Sequence, residues 1–232
     1  EGSQLKLYRA REQQLRKSLA SHRRGGKSPE IDGPSKIQIL SELTCLRQIC
    51  LDPGLVYEDY RGGSAKLDAI MDLVDQGLES GQKMLVFSQF TSFLDLIASR
   101  LKKNGISFYT ITGSTPKKRR LELVDRFNED DVPVFLISLK AGGTGLNLTG
   151  ASIVIHADPW WNAAAEHQAT DRAHRIGQQH AVSVYKVIAK DTIEERIVDL
   201  QERKSALAET LMAGTDTSLA SLSADDLIGL LA

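Results

Sequence analysis

Three stretches of the 232-residue sequence set charged, glycine-rich or aromatic groups at spacings that suit phosphate chemistry. In the first, Gln168, Arg172 and Arg175 fall at i, i+4 and i+7 of a helix expected over 163–174, so they share one face with two guanidiniums a turn apart. Such a pair repels itself unless an anion lies between the two or an acid neutralises them. One reading pairs them with Asp171, Glu166 or another surface acid. The other sets them on a nucleotide γ-phosphate, where an arginine is worth ~10³ to 10⁵ in rate, roughly 4 to 7 kcal/mol of barrier. Spacing alone leaves both open.

The second stretch, KAGGTGLNLTG (140–150), follows an apolar run at its carboxyl end, the place where open α/β sheets bind ligands. Gly142, Gly143 and Gly145 let the backbone approach an anion, successive N–H groups can form a nest, and Lys140 and Thr144 add a charge and a hydroxyl. A plain glycine-rich crossover turn is the alternative. The third is DPWWN (158–162), in which Trp160 or Trp161 must point away from the core if the segment is extended. PKKRR (116–120) opens a helix with cations that oppose its dipole, so it reads either as a solvated helix start or as a surface that meets phosphate. His167, Asp171 and His174 share a helical face, but with no cysteine near them they read as solvated side chains and no metal is expected. GGKS (25–28) lacks the earlier glycine of a P-loop, Ser21 standing there, and no strand precedes it.

The elements that would position these groups alternate from Lys83 onward. Strands are expected over 84–88, 108–111, 133–138, 153–157 and 182–188, with helices over 92–103, 116–127 and 163–174. MLVF, VFLI and IVIH are apolar on both faces, as strands of a helix-covered parallel sheet should be, which gives a three-layer α/β domain. Before it lie an amphipathic helix over 4–20 with Leu5, Tyr8, Leu15 and Leu19 on one stripe, a Gly/Pro loop over 22–35, and a helix from Ser35 to Leu51. That second helix buries Ile39, Leu40, Leu43, Leu46, Ile49 and Cys50 and is stopped by Asp52-Pro53-Gly54. Ser64 is expected to cap a third helix to Glu79, and Asp191 or Thr192 a long one over 193–212. A polar stretch then leads to a short helix over 224–231. The domains expected are 1–63, 64–190 and 191–232.

Composition agrees with a globular chain: 41% hydrophobic and 25% charged residues bury one good core plus a helical appendage. Residues 1–27 hold eight Lys/Arg against two acids, so a basic arm precedes a mildly acidic body whose charge brings the net to −1. Cys45 and Cys50, five apart on a helical pattern, suit neither a disulfide framework nor a zinc site and read as reduced core residues. No apolar run approaches the ~18 residues of a membrane span and no signal peptide is visible, so the expectation is an intracellular protein without a membrane partner.

Together these blocks resemble the second ATPase lobe of the SWI/SNF-type DNA translocases, the chromatin-remodelling branch of the superfamily 2 helicases. KMLVFSQFTSFLDLI (83–97) resembles the family's motif IV, ITGSTPKKRRLELVDRFN (111–128) the block after it, and SLKAGGTGLNL (138–148) motif V. DPWWN is similar to the DNA-contacting Trp-Asn element and QATDRAHRIGQ (168–178) to motif VI. LRQICLDP (46–53) and TIEERI (192–197) resemble the protrusion and brace helices of the family, the wording being closest to bacterial members.

The resemblance implies a RecA-like, P-loop-NTPase-like lobe with Arg172 and Arg175 as arginine fingers and Gln168 holding them. Gly145 and Asp171 would join the arginines on the nucleotide side. Gln89, Arg120, Lys140, Gly142, Gly143, Thr144, Trp161 and Asn162 would lie on the DNA side. Ala163 stands where the family usually has Pro, which is favoured but not required at a first helical position. The implied partners are double-stranded DNA, the amino-terminal ATPase lobe of the same polypeptide and other DNA-bound proteins, in the nucleoid of a bacterium or the nucleus of a eukaryote. With neither a P-loop nor an Asp-Glu Walker B pair in the sequence, ATP and Mg²⁺ would be held mainly by that other lobe, and the chain alone is not expected to hydrolyse ATP. The alternatives are a non-catalytic DNA-binding or scaffold module of the same fold and a strand-separating helicase.

Overall fold

The computed structural model describes residues 2–23, 33–142, 146–171, 173 and 181–211, with side chains omitted at 18–23, 33–36, 140, 142, 163, 165 and 204–211. Its elements run α1 (Ser3–Arg23), α2 (Gly33–Leu51), a 3-10 turn (Pro53–Leu55), α3 (Ala65–Glu79), β1 (Met84–Ser88), α4 (Thr91–Lys103), β2 (Phe108–Ile111) and α5 (Lys117–Glu129). There follow β3 (Val134–Ser138), α6 (Leu139–Gly142), β4 (Ile153–His156), α7 (Ala163–Thr170), β5 (Ser183–Lys186) and α8 (Ile193–Leu211). They fall into two compact units, Ala65–Ile188 and Glu1–Ser64 with Ala189–Ala232.

In the unit Ala65–Ile188 the five strands form a parallel sheet in the order β2-β3-β1-β4-β5. Met84 of β1 stands opposite Val134 of β3 on one side and Ile153 of β4 on the other. Every residue of β1, β3 and β4 is buried, which is why these runs carry no polar alternation. The edges differ: β2 is half-buried and β5 is exposed at all four residues. Phe127 of α5 and Phe135 of β3, ring centroids 5.0 Å apart, lie in a core shared with Leu85, Ile137, Val154 and Ala173. β1 leads by α4 to β2 on one flank, whereas β4 leads by α7 to β5 on the other. The connections therefore diverge at the carboxyl ends of β1 and β4, where such sheets open a crevice.

The other unit is helical. Tyr8 and Leu15 of α1 are buried, as are Ile39, Leu43, Leu46, Ile49 and Cys50 of α2. Arg11 grips Glu42 with two hydrogen bonds of 2.7 and 2.8 Å, joining α1 to α2. Arg196 reaches Glu12 at 2.8 Å and the Ile193 N–H donates to the Tyr8 hydroxyl at 2.7 Å, joining α1 to α8. Burial drives the Tyr8 phenol far above its ordinary range, so it stays protonated. Of the two expected caps for α8, Thr192 takes the role, its Oγ1 accepting from the Glu194 N–H at 3.2 Å, while Asp191 turns the chain in the left-handed region at φ 58.

Several boundaries move. α2 begins at Gly33 rather than after Ser35, placing Pro34 in the first turn, where a missing N–H costs nothing. α7 ends at Thr170, not His174: Asp171 is its C-cap and the Ala173 N–H closes a tighter turn on the Thr170 carbonyl at 3.0 Å. The segment after β3 is not wholly loop, because α6 makes one helical turn of Leu139–Gly142, with the Ala141 N–H held by the Ser138 Oγ at 3.3 Å. The expected helix at 224–231 lies outside the described residues.

Gly77 shows how closely α3 lies on β1, since a Cβ there would stand 2.4 Å from the Met84 sulfur inside a fully buried site. Gly77→Ala should therefore lower stability by about 1–2 kcal/mol in urea unfolding, despite the better helix propensity of Ala. Repeating the substitution in a Met84→Ala background should remove most of that loss.

Candidate nucleotide and nucleic-acid interface

Where β1 and β4 end, the polar side chains converge on Asp158, which is 1% exposed. A carboxylate so buried needs donors, and the end of β1 supplies them. Ser88 Oγ donates to Oδ1, Gln89 Nε2 to Oδ2, and the Gln89 backbone N–H reaches both oxygens at 3.3 and 3.4 Å. Gln89 Nε2 also lies 3.3 Å from the Pro159 carbonyl. Gln89, expected on the DNA side, thus spends its amide on fastening the DPWWN segment to β1. Behind it, buried Lys66 of α3 donates to the carbonyls of Ala157 and Val187 at 3.0 and 2.7 Å, tying together the chain just past β4 and β5.

Asn162 caps α7, its Oδ1 accepting from the Ala164 N–H at 2.9 Å. Trp161, expected to face DNA, is only 6% exposed, while Trp160 is half-buried against the sheet core and offers the larger free surface. Glu166, one turn into α7 and 2% exposed, accepts the Trp160 N–H at 2.8 Å on Oε1 and Lys186 Nζ of β5 at 2.9 Å on Oε2. Gln168 and Asp171 are exposed. Arg172, Arg175 and the glycines Gly143 and Gly145 with Thr144 lie outside the described residues, as does the side chain of Lys140; Gly142 closes α6.

Arg120 of α5 is half-buried and held by its own chain, with Nε on the Thr115 carbonyl at 2.7 Å and Nη2 on that of Gly113 at 2.9 Å. It shapes the TGST turn, leaving Lys117, Lys118 and Arg119 as the exposed cations of this helix start, Arg119 paired with Glu122 at 3.1 Å. Among the described residues, no group of three His, Cys, Asp or Glu gathers to hold a metal ion. Nor is any described helix long and apolar enough to cross a membrane.

Sequence reasoning weighed Glu166 only as an acid beside the arginines, gave Asp158 no role within DPWWN, and missed Lys66 and His156. The last, at the end of β4, is 1% exposed, stacks on Phe87 at 5.6 Å between centroids and shares a 3.0 Å hydrogen bond between Nε2 and Thr170 Oγ1. Its one legible signal is a histidine inside the otherwise apolar run IVIH.

A parallel sheet with this crevice, a glycine-rich segment after β3 and an arginine-bearing stretch after α7 is the architecture of a helicase lobe, and residues 65–177 match the helicase conserved C-terminal domain. With the motifs that follow its strands, the chain is similar to the SWI2/SNF2-type ATPases, and its fold is that of their carboxyl-terminal RecA-like lobe. The Sulfolobus solfataricus SWI2/SNF2 ATPase C-terminal domain superposes with a TM-score of 0.73 at 28% identity, over 98% of this chain and 92% of that one. The core of the same ATPase in complex with dsDNA gives 0.73 at 30% identity, over 98% of this chain and 47% of that one. A putative ATP-dependent helicase/translocase of Bacillus subtilis, YwqA, is 40% identical over 183 residues, 76% of this chain and 20% of its own length. The chain spans about a fifth of the length of the first curated relatives it matches.

Burial pushes the His156 imidazole down to about 4 from its ordinary 6.5, the Glu166 carboxylate opposing the shift in part. The fold therefore holds this ring neutral while the unfolded chain takes up a proton below about pH 6.5. Stability is intact above that pH and declines between 6.5 and about 4, by about 2 kcal/mol from pH 7 to pH 5. Urea unfolding at the two pH values should show this loss, and His156→Gln should reduce the pH dependence by that amount.

Proposed function

We propose that this chain is the carboxyl-terminal lobe of an ATP-dependent translocase on double-stranded DNA, working with an amino-terminal ATPase lobe of the same polypeptide. The observation that carries the reading is the placing of the DPWWN segment and α7 at the sheet's divergence point. There one short stretch gives a DNA-side loop at its start and leads into Arg172 and Arg175 at its end. The likeness to a SWI2/SNF2 ATPase core in complex with dsDNA supports it.

On the nucleotide side, Gln168 and Asp171 offer an exposed amide and carboxylate, and Arg172 and Arg175 the positive charge that a triphosphate tail needs, with Gly145 joining them from the glycine-rich segment after β3. When bound, ATP supplies the phosphoanhydride to be cleaved and Mg²⁺ neutralises its charge, both held mainly by the other lobe. On the DNA side, Lys140, Gly142, Gly143 and Thr144 meet the phosphate backbone. Gln89, Arg120 and Asn162 act there by shaping the surface that does so. Trp160, rather than Trp161, provides the exposed indole of that face. α1 and α2 act as the protrusion and α8 as the brace helix.

In the full-length protein, Arg175→Ala should lower the ATPase kcat by about 10³-fold or more while duplex DNA affinity stays within threefold. Steady-state hydrolysis and a DNA-binding titration measure the two quantities, and retained hydrolysis removes the finger assignment. Translocation without strand separation should appear as displacement of a triplex-forming third strand with no unwinding of the duplex beneath.

A further inference from the structure

Glu166 holds three pieces of the lobe together. Its carboxylate is buried, its own backbone lies in α7, its Oε1 takes the Trp160 N–H at 2.8 Å, and its Oε2 takes Lys186 of edge strand β5 at 2.9 Å. At the other end of the same short helix, Thr170 shares a hydrogen bond with His156 of β4. With eight residues, α7 has little stability of its own and takes its position from these attachments.

Burying a carboxylate costs free energy that its two donors, the Trp160 N–H and the partly exposed Lys186 ammonium, only offset. What the arrangement supplies is directional geometry. The carboxylate fixes the distance between the Trp160 backbone and the helix that runs toward Arg172, so a shift of the Trp loop must be carried into α7.

We propose that Glu166 is a positioning residue that couples the Trp loop to the arginine-bearing stretch after α7, an inference that rests on the translocase reading above. DNA engaging the loop is thereby registered at the nucleotide side. Glu166 touches neither substrate; it acts through the Trp160 N–H on one side and the helix on the other.

The test compares DNA-free and DNA-stimulated ATP hydrolysis by the full-length protein. Glu166→Met, similar in volume but without either hydrogen bond, should lower the stimulated rate tenfold or more. The DNA-free rate and the KM for ATP should stay within twofold. Glu166→Gln keeps an acceptor for the Trp160 N–H and should lose less. Full stimulation in Glu166→Met overturns the proposal, as does an equal fall in both rates, which would mark an ordinary structural or hydrolytic role. Should Glu166→Met fail to fold, Lys186→Met decides. It leaves the Trp160 bond in place, so a threefold or greater loss of stimulation supports the coupling and wild-type stimulation overturns it. Arg175→Ala measured alongside separates the two ideas: retained hydrolysis there sinks the finger assignment, while the stimulation ratio of the Glu166 variants still reports on the coupling.

Discussion

Asp158 is a carboxylate taken almost wholly out of water, and the donors at the end of β1 are what make its burial tolerable. Much of the surface at this end of the sheet depends on that arrangement. A strand covered on both faces can offer chemistry only where it stops, so β1 and β4 must be tied at their ends before the loops beyond them can have a defined place. The Ser88, Gln89 and Asp158 contacts do this, and Lys66 ties the chain just past β4 to the chain just past β5. The DPWWN segment then starts from a fixed point, and Asn162 and Glu166 determine how it enters α7.

The helical unit uses a different economy of contacts. Its three long helices are apolar on facing stripes, which brings them together without selecting a rotation for each. The bidentate Arg11–Glu42 pair, the Arg196–Glu12 pair and the buried Tyr8 hydroxyl at the start of α8 supply that selection. Each is a directed bond from one face of α1, so the rotation of this helix sets its register against both α2 and α8.

Much of the sheet was legible in the sequence because burial on both faces leaves unbroken apolar runs, as in β1, which occupies the residues that MLVFS predicted; half-buried β2 likewise falls on FYTI. The family was legible for another reason, namely five ordered motifs. What pattern could not reveal were partnerships over long separation. Lys66 looks like one more charge on an amphipathic helix until the carbonyls of Ala157 and Val187 are seen to need it. Helical periodicity ran on through Arg172, so the stop at Thr170 was hidden; it depends on how Asp171 and Ala173 close the chain against the core. Glycine content spoke for a loop after β3, but the Ser138 hydroxyl stabilises one helical turn first. For the Trp pair, extended geometry required one ring to turn outward and the resemblance assigned that place to Trp161, yet Trp161 is 6% exposed and Trp160 is the more exposed of the two.

The exposure of β5 bears on behaviour in concentrated solution. An edge strand with Val184 and Tyr185 at 43% and 41% exposure and one side unpaired among the described elements is an opening for another chain to add on. Its brevity limits the ladder available, and Lys186, partly exposed although paired with Glu166, adds a charge to this edge strand. Neutralising that lysine would therefore leave the edge less guarded, and self-association would join loss of activity among the consequences of altering one residue.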